Sequence, residues 1–429
     1  MPNSLTLIVF GATGDLYQNK LSLALFNLFS LGFLPPKFKI IGFTRRPLTD
    51  LEFQNFTRDA IMGHLHNVSA SQGKNLDDFL KHLKYIQGNL EVLEDFKELN
   101  RKLATADEQQ GICTNKLFYL AVPPSLYEVI FKNISRAGLT IPCAPGVKEK
   151  KTAWTRVLVE KPFGKDILEA KRLDRMLGEL FDEIQIFRID HYLAKKTLQD
   201  IISFRFPDGM FESLWNGKNI ETIRIVFHEE NTVFNRGNFY DGIGALRDVG
   251  QNHMLQMLAL IAMENPIKIS KEKIHNARSA VLQKISLLTK GVNTKIVRGQ
   301  YKGYLEEKNV EINSKTETFF RLSLSVDNKR WRGVRFELEA GKALDKSEVL
   351  IEVYFRKTNA RLTFFVSSDK RVLYDAYEKV FYDCILGDQT IFVSTKEIMS
   401  EWALVTNIIK KWQKVPLVIY PKGTPGADI

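Results

Sequence analysis

The chain has 429 residues, 61 Lys and Arg against 50 Asp and Glu, and hence a formal charge of +11. With 44% hydrophobic and 26% charged residues it has a globular composition, which excludes disordered, collagenous and coiled-coil classes. No apolar run approaches the ~20 residues of a membrane helix, and Met1-Pro2-Asn3-Ser4 puts no basic region ahead of its apolar run, as a secretory signal would.

At roughly 100–200 residues per domain, two domains are expected. Cys113, Cys143 and Cys384 are too few and too far apart for a disulfide framework or a zinc site; no metal site and a reducing cytoplasm are expected. The positive charges are spread along the chain. The densest run, Lys148-Glu149-Lys150-Lys151, is short and contains an acid. That pattern fits a solvated basic surface or phosphorylated small molecules, not a nucleic-acid groove.

Leu5 to Phe10 is a compact apolar run with β-branched residues, followed by Gly11-Ala12-Thr13-Gly14-Asp15 and then helical apolar spacing from Lys20 to Leu31. The order is strand, glycine turn, helix. Phe38–Phe43 reads as a second strand, Leu117–Val122 as a third, stopped by Pro123-Pro124, and Arg156–Glu160 as a fourth, ending in Lys161-Pro162-Phe163-Gly164. Asp166 to Leu180 is an amphipathic helix, and Ala137 to Ala153 a loop. The alternation predicts a doubly wound, mainly parallel sheet, a Rossmann-type α/β domain over 1–189. After residue 210 the texture changes. A long helix is expected over Ala245–Met263. Strands follow at Phe319–Val326, Val334–Ala340, Val349–Phe355 and Arg361–Val366. Short turns between them predict a meander, hence an α+β domain over 190–429 with a large, mostly antiparallel sheet.

Gly11 and Gly14 stand where a dinucleotide pyrophosphate approaches the backbone and a helix N-terminus; paired glycines in turns are also common without a ligand. Arg45 and Arg46 close the second strand. An acid there would hold the ribose of NAD, whereas arginine suits the 2′-phosphate of NADP. Two solvated loop arginines are the other reading. Arg188-Ile189-Asp190-His191-Tyr192-Leu193-Ala194-Lys195 follows an apolar strand. With a helix starting near Tyr192, His191 and Lys195 would share a face and grip a phosphate. His253 lies in the long helix. It is either a buried structural histidine or a general base, which then needs a carboxylate to orient it.

Taken together, these motifs resemble the glucose-6-phosphate dehydrogenase family over nearly the whole chain. The resemblance is carried by Gly11-Ala12-Thr13-Gly14-Asp15-Leu16 with Lys20-Leu21, Tyr119-Leu120-Ala121-Val122-Pro123-Pro124, Glu160-Lys161-Pro162-Phe163-Gly164, Arg188 to Leu193, Arg247-Asp248-Val249-Gly250-Gln251-Asn252-His253, Gly341-Lys342-Ala343-Leu344 and Asp375-Ala376-Tyr377-Glu378. It implies oxidation of glucose 6-phosphate at C1 to a 6-phosphogluconolactone, the first oxidative step of the pentose phosphate pathway. NADP is the expected cofactor, with NAD as the other candidate. It also implies a homodimer or tetramer; with the charge pattern, the cysteine count and the apolar-run lengths above, a cytoplasmic protein acting without membrane or nucleic acid is expected. By the same resemblance, Gly11, Thr13, Gly14, Asp15, Leu16, Arg45, Tyr127 and Lys161 serve the cofactor. Lys20, Lys161, His191, Tyr192, Lys195, Glu229, Asp248, Lys342 and Lys346 serve the sugar phosphate. His253 is the base, Asp190 its carboxylate, and Pro162 follows a cis bond. Tyr17 stands where the family usually has Ala, at a close contact that a ring would reshape, and Lys196 where it has Glu. Two other readings remain: a related sugar oxidoreductase of the Rossmann type with Glu-Lys-Pro, and a catalytically weakened cofactor-binding module.

Overall fold

The computed structural model describes every residue except 66–69, 144–152, 207–210, 268, 289–295, 359, 367–375 and 413. Most of the loop expected at 137–153 therefore lies outside the described residues. The chain divides into two compact units. The first comprises Met1–Phe163, Arg172–His191 and Leu373–Val393, the second Gly164–Lys171, Tyr192–Val372 and Ser394–Ile429.

In the first unit, β1 (Ser4–Phe10), β2 (Lys37–Thr44), β3 (Leu83–Gln87), β4 (Asn115–Leu120), β5 (Thr155–Val159) and β6 (Ile186–Arg188) form one sheet in the order β3-β2-β1-β4-β5-β6. All its pairings are parallel. Every residue of β1 and β4 is buried. That is why they read as continuous apolar runs and not as alternations: a parallel sheet is covered on both faces. Each fully buried Leu, Ile, Val or Phe contributes roughly 1.5–3 kcal/mol. Helices fill the crossovers. One of them, Asp50–Met62, starts on a reciprocal cap: Thr49 Oγ1 accepts the Glu52 amide at 3.2 Å and Glu52 Oε2 accepts the Thr49 amide at 2.7 Å. The cysteine expectation is corrected here. Cys113 and Cys143, 30 residues apart, are joined as a disulfide with Cα atoms 5.5 Å apart, while Cys384 is buried and free. The intervening strand and helix bring the chain back on itself, which spacing alone does not reveal. The cysteine count thus gives no support to a reducing compartment.

The second unit holds β7 (Ile220–His228), β8 (Ile285–Leu287), β9 (Ile296–Tyr301), β10 (Phe319–Val326), β11 (Arg335–Gly341), β12 (Glu348–Phe355), β13 (Arg361–Phe365) and β14 (Leu417–Tyr420). The order is β13-β12-β7-β11-β10-β9-β14, with β8 on β10. The sheet is mostly antiparallel, as expected, but it is not a simple meander. β7 enters between β11 and β12 and runs parallel to β11; β14 likewise runs parallel to β9. Alternation splits the strands by face: Ile223, Ile225 and Phe227 with Phe336 and Leu338 on one, Arg224 and His228 with Glu339 on the other.

That second face carries a buried ion cluster around Glu339. Arg321 Nε lies 2.6 Å from its Oε2; Arg224 Nη2 and His228 Nε2 lie 2.8 and 2.9 Å from its Oε1. Burial works to raise the Glu339 carboxyl, but the His228 hydrogen bond and the two guanidiniums outweigh it and hold it at about 2. The folded state therefore binds fewer protons here than the unfolded chain. This group's stabilisation is complete above its usual value near 4.5 and is lost as pH falls through about 2. The loss amounts to about 3 kcal/mol. Denaturant titrations at pH 7 and pH 3 are expected to show a larger acid loss for the native chain than for Glu339→Gln; equal losses would contradict this account of the cluster.

Candidate active site

In the first unit, β1 ends at Phe10 and the chain turns through Gly11 to Gly14. Gly11 has φ +82°, and a Cβ there would overlap the Ala121 carbonyl oxygen at the end of β4. Only glycine lets the turn lie this close. Its amide donates to Phe43 O at 3.2 Å, and the Gly14 amide donates to Gly11 O at 2.9 Å. Over this turn opens a cleft of ≈ 440 Å³, lined by Gly11, Thr13, Gly14, Arg45, Arg46 and Asn89 among others. It lies at the carboxyl ends of β1, β2 and β4, where the strand order reverses, the position where doubly wound sheets take ligands. Gln87 Nε2 donates to the Arg45 carbonyl at 3.3 Å and the Tyr85 hydroxyl donates to the Arg46 carbonyl at 2.5 Å, so the backbone presenting both guanidiniums is pinned. A turn with glycine at both ends and the two cations beside it fit a nicotinamide dinucleotide.

Not every expected cofactor residue lines this cleft. Asp15 and Leu16 belong to the helix that follows, and Tyr127 is buried with its hydroxyl donating to Glu160 O at 3.0 Å; Lys20, expected at the sugar phosphate, is exposed on the next turn of the same helix. Tyr17 does not line the cleft either. It is fully buried in a π-helical turn, Tyr17–Leu21, with its ring 5.6 Å from Phe53 and its hydroxyl 3.0 Å from Thr57 Oγ1. The ring that replaces the usual alanine is thus absorbed in the core.

Also in the first unit, Glu160 follows β5 as a buried carboxyl. Tyr119 donates to its Oε1 at 2.5 Å. Burial raises Glu160, and the Asp190 charge adds to this; hydrogen bonds from Tyr119 and Tyr377 and the charge of Lys161 act the other way. The Lys161-Pro162 bond is cis, as the resemblance implied. Asp190 is buried, and the His191 ring stacks on Tyr377 at 5.8 Å.

In the second unit the chain does not start a helix near Tyr192. Residues 192–194 form a turn, the Lys195 amide donates to Tyr192 O at 2.9 Å, and the helix runs Lys196–Arg205 with Lys195 extended at its cap. The expected four-residue helical spacing of His191 and Lys195 is therefore corrected. Tyr192 instead bridges two other candidates. Its ring lies 4.4 Å from that of His253, and Lys195 Nζ lies 4.4 Å over its face.

The long helix expected at 245–263 is really two kinds of turn. Leu246–Met254 is π-helical and Leu255–Ala262 is α-helical. Wide turns of this kind are rare and recur at functional sites. Asn252 supports the widening: its Nδ2 donates to Arg247 O at 3.2 Å and Asp248 O at 3.1 Å, and its Oδ1 accepts the His253 amide at 2.7 Å. Gln251 and Gln256, five apart, both donate to Glu401, at 3.3 and 2.6 Å. Gly250 packs against Phe320 of β10 so closely that a Cβ would lie 2.9 Å from its ring. Neither Asn252 nor Glu401 was singled out from sequence; the five-residue spacing of the two glutamines was the available signal.

Lys342 gathers the remaining sugar candidates. Its Nζ lies 2.5 Å from Glu229 Oε2 and 3.7 Å from Asp248 Oδ2. The lysine is 7% exposed. The residue after it, Ala343, is held at φ +54° with its amide donating to Asn231 O at 3.0 Å. Such strain in a non-glycine persists only where the surroundings enforce it. Lys346 is not part of this group: it is exposed and pairs with Glu348 at 2.8 Å. Among the described residues no cluster of His, Cys, Asp and Glu could hold a metal ion, and no helix is long and apolar enough to cross a membrane.

The family model described as glucose-6-phosphate dehydrogenase, NAD binding domain, matches residues 8–200, and that described as the C-terminal domain matches 202–371 and 362–428. The glucose-6-phosphate 1-dehydrogenase of Chlamydia muridarum is 34% identical over 98% of this chain and 92% of its own. Glucose-6-phosphate 1-dehydrogenase 6, cytoplasmic, of Arabidopsis thaliana is 35% identical over 98% and 89%. The first alignment spans 479 positions, so this 429-residue chain lacks segments that the relative carries internally. Among solved structures, a glucose-6-phosphate dehydrogenase in complex with its substrate glucose-6-phosphate superposes with a TM-score of 0.87 at 28% identity, covering 99% of this chain and 95% of that one.

Proposed function

Because the chain belongs to the glucose-6-phosphate dehydrogenase family, we propose that it oxidises the C1 hydroxyl of glucose 6-phosphate, yielding the δ-lactone. The observation that carries this reading is the pair of groupings in the second unit. Lys342, Glu229 and Asp248 supply a cation and two acceptors for sugar hydroxyls, and His253 packs on Tyr192 beside Lys195. A nicotinamide cofactor, when bound in the cleft of the first unit, supplies the hydride acceptor. The residues of this chain do the rest. His253 takes the proton from the C1 hydroxyl oxygen. The carboxylate assigned to the resulting imidazolium is Asp190, which stabilises charge where it develops. Lys195, Tyr192 and His191 hold the phosphate, and Lys161 touches sugar and cofactor. Cytoplasmic location and a dimer or tetramer complete this reading. The test is absorbance of reduced nicotinamide with glucose 6-phosphate against unphosphorylated glucose. Equal turnover of both sugars would favour a related sugar oxidoreductase instead.

We assign NADP over NAD to Arg45, because a guanidinium at the end of β2 matches a 2′-phosphate and an acid is missing there. Arg45→Ala is expected to raise KM for NADP roughly tenfold, the size of one lost charge-assisted hydrogen bond, and to leave KM for NAD unchanged. An unaltered ratio of the two KM values would contradict this assignment.

A further inference from the structure

The three residues just ahead of β10, Thr316-Glu317-Thr318, tie together two parts of the candidate site. The Ala245 amide donates to Glu317 O at 3.0 Å and the Leu246 amide to Glu317 Oε1 at 3.1 Å. These are the amides of the residue that caps the π-helical segment Leu246–Met254 and of its first residue, where a helix start leaves its donors without partners in the helix itself. Gly244, at φ +75°, lies so close to the Glu317 carboxyl that any Cβ would overlap it. On the other side, the Lys342 amide donates to Thr318 O at 2.9 Å. The Tyr420 hydroxyl donates to Lys342 O at 2.7 Å and lies 2.8 Å from Thr318 Oγ1. One tripeptide thus holds the entry to the segment that bears Asp248 and His253 and, one residue on, the loop that bears Lys342.

Glu317 is buried, and none of the roles assigned above uses it. Burial pushes its carboxyl up to about 7, while its own amide, the Leu246 amide and the guanidiniums of Arg247 and Arg298 favour the charged form. Tyr240 faces it as well, donating to Glu317 O at 3.4 Å. A buried polar group kept at such a position needs its partners, since leaving the Leu246 amide unsatisfied would itself be costly.

We propose that Glu317 is a positioning residue for the reaction: its carboxyl fixes the entry of the π-helical segment and so sets His253 and Asp248 in register with Lys342. This rests on the function proposed above. A displacement of about 1 Å at a reacting group lowers a rate by up to ~10²-fold, so the anchor is expected to be visible in turnover although Glu317 touches no substrate.

The test compares Glu317→Ala and Glu317→Gln in the full chain. In Glu317→Ala, kcat is expected to fall roughly tenfold, with a smaller rise in KM for glucose 6-phosphate, because Asp248 shifts with His253 while Thr318 still holds the Lys342 loop through its backbone. Glu317→Gln keeps an acceptor oxygen for Leu246 and is expected to recover kcat to within roughly threefold. Hydrogen exchange at the Leu246 amide, read without substrate, is expected to speed up about tenfold in Glu317→Ala and not in Glu317→Gln. A Glu317→Ala enzyme with native kcat and only a lower melting temperature would overturn the proposal, as would a Glu317→Gln enzyme no better than Glu317→Ala. A native enzyme inert toward glucose 6-phosphate would remove the functional reading alone; unchanged exchange at Leu246 would then remove the anchor.

Discussion

Replacing His253 by asparagine is expected to lower kcat by roughly 10²- to 10⁴-fold, the usual contribution of a positioned base. KM for glucose 6-phosphate should stay within a few-fold. The expectation follows from where the residue sits. His253 is 1% exposed, in a segment whose wide turns are braced by Asn252 and Glu401, and its ring packs on Tyr192 at 4.4 Å. That bracing fixes the backbone that carries the ring, and the Tyr192 and Phe227 rings pack against the imidazole itself. Asparagine is smaller than the imidazole, so it introduces no clash, and it keeps a polar end, but it cannot take a proton. A loss confined to kcat would mark an interaction made in the transition state, whereas a parallel rise in KM would mark a collapsed site. A variant retaining near-native kcat would remove His253 from the mechanism.

Replacing Lys195 by alanine is expected to raise KM for glucose 6-phosphate roughly 100-fold with kcat little changed, since a dianionic phosphate loses one charge-assisted partner. Lys195 is held at the cap of the helix Lys196–Arg205, and its ammonium lies over the Tyr192 ring. The ring contact limits the rotamers that the side chain must give up on binding, so more of the Coulomb gain is kept as affinity. Kinetics with unphosphorylated glucose provide the control: the variant and the native chain should handle it alike. Equal KM values for glucose 6-phosphate would show that Lys195 does not grip the phosphate.

What could be read from the sequence was local. The strand Ser4–Phe10, the glycine turn and the helix after it were legible because both periodicities and both glycines fall within some 25 consecutive residues. Strands buried on two faces announce themselves as apolar runs, which is why β1, β2, β4 and β5 were found. β3, Leu-Lys-Tyr-Ile-Gln, was missed because it is short and half polar. The insertion of β7 between β11 and β12 was invisible for a different reason. It is a pairing between segments more than 100 residues apart, and no turn signal records it. The disulfide between Cys113 and Cys143 belongs to the same class of non-local fact.

The site divides along similar lines. Tyr192, Lys195 and His253 were named from their motifs, and the structure places them side by side within one unit. Their expected helix was wrong, because Lys195 serves as a cap and not as the second turn. The change from π to α geometry at Leu255 leaves no mark in apolar spacing, since Leu246, Val249 and Leu255 suit either turn. Glu317 stood out in no motif. Its importance comes from the carboxyl meeting Leu246 across 71 residues of chain, and a single acid at a strand start is otherwise unremarkable on sequence alone.

The central claim is that this chain removes hydride from C1 of a phosphorylated hexose while an imidazole takes the hydroxyl proton. The most direct measurement is turnover of glucose 6-phosphate deuterated at C1, with NADP, followed by mass analysis of both products. We expect one deuterium in the reduced nicotinamide for each lactone formed, in native enzyme, and the same transfer at a greatly reduced rate in His253→Asn. Lactone without deuterium in the cofactor, or no reduced cofactor from the native enzyme, would contradict it.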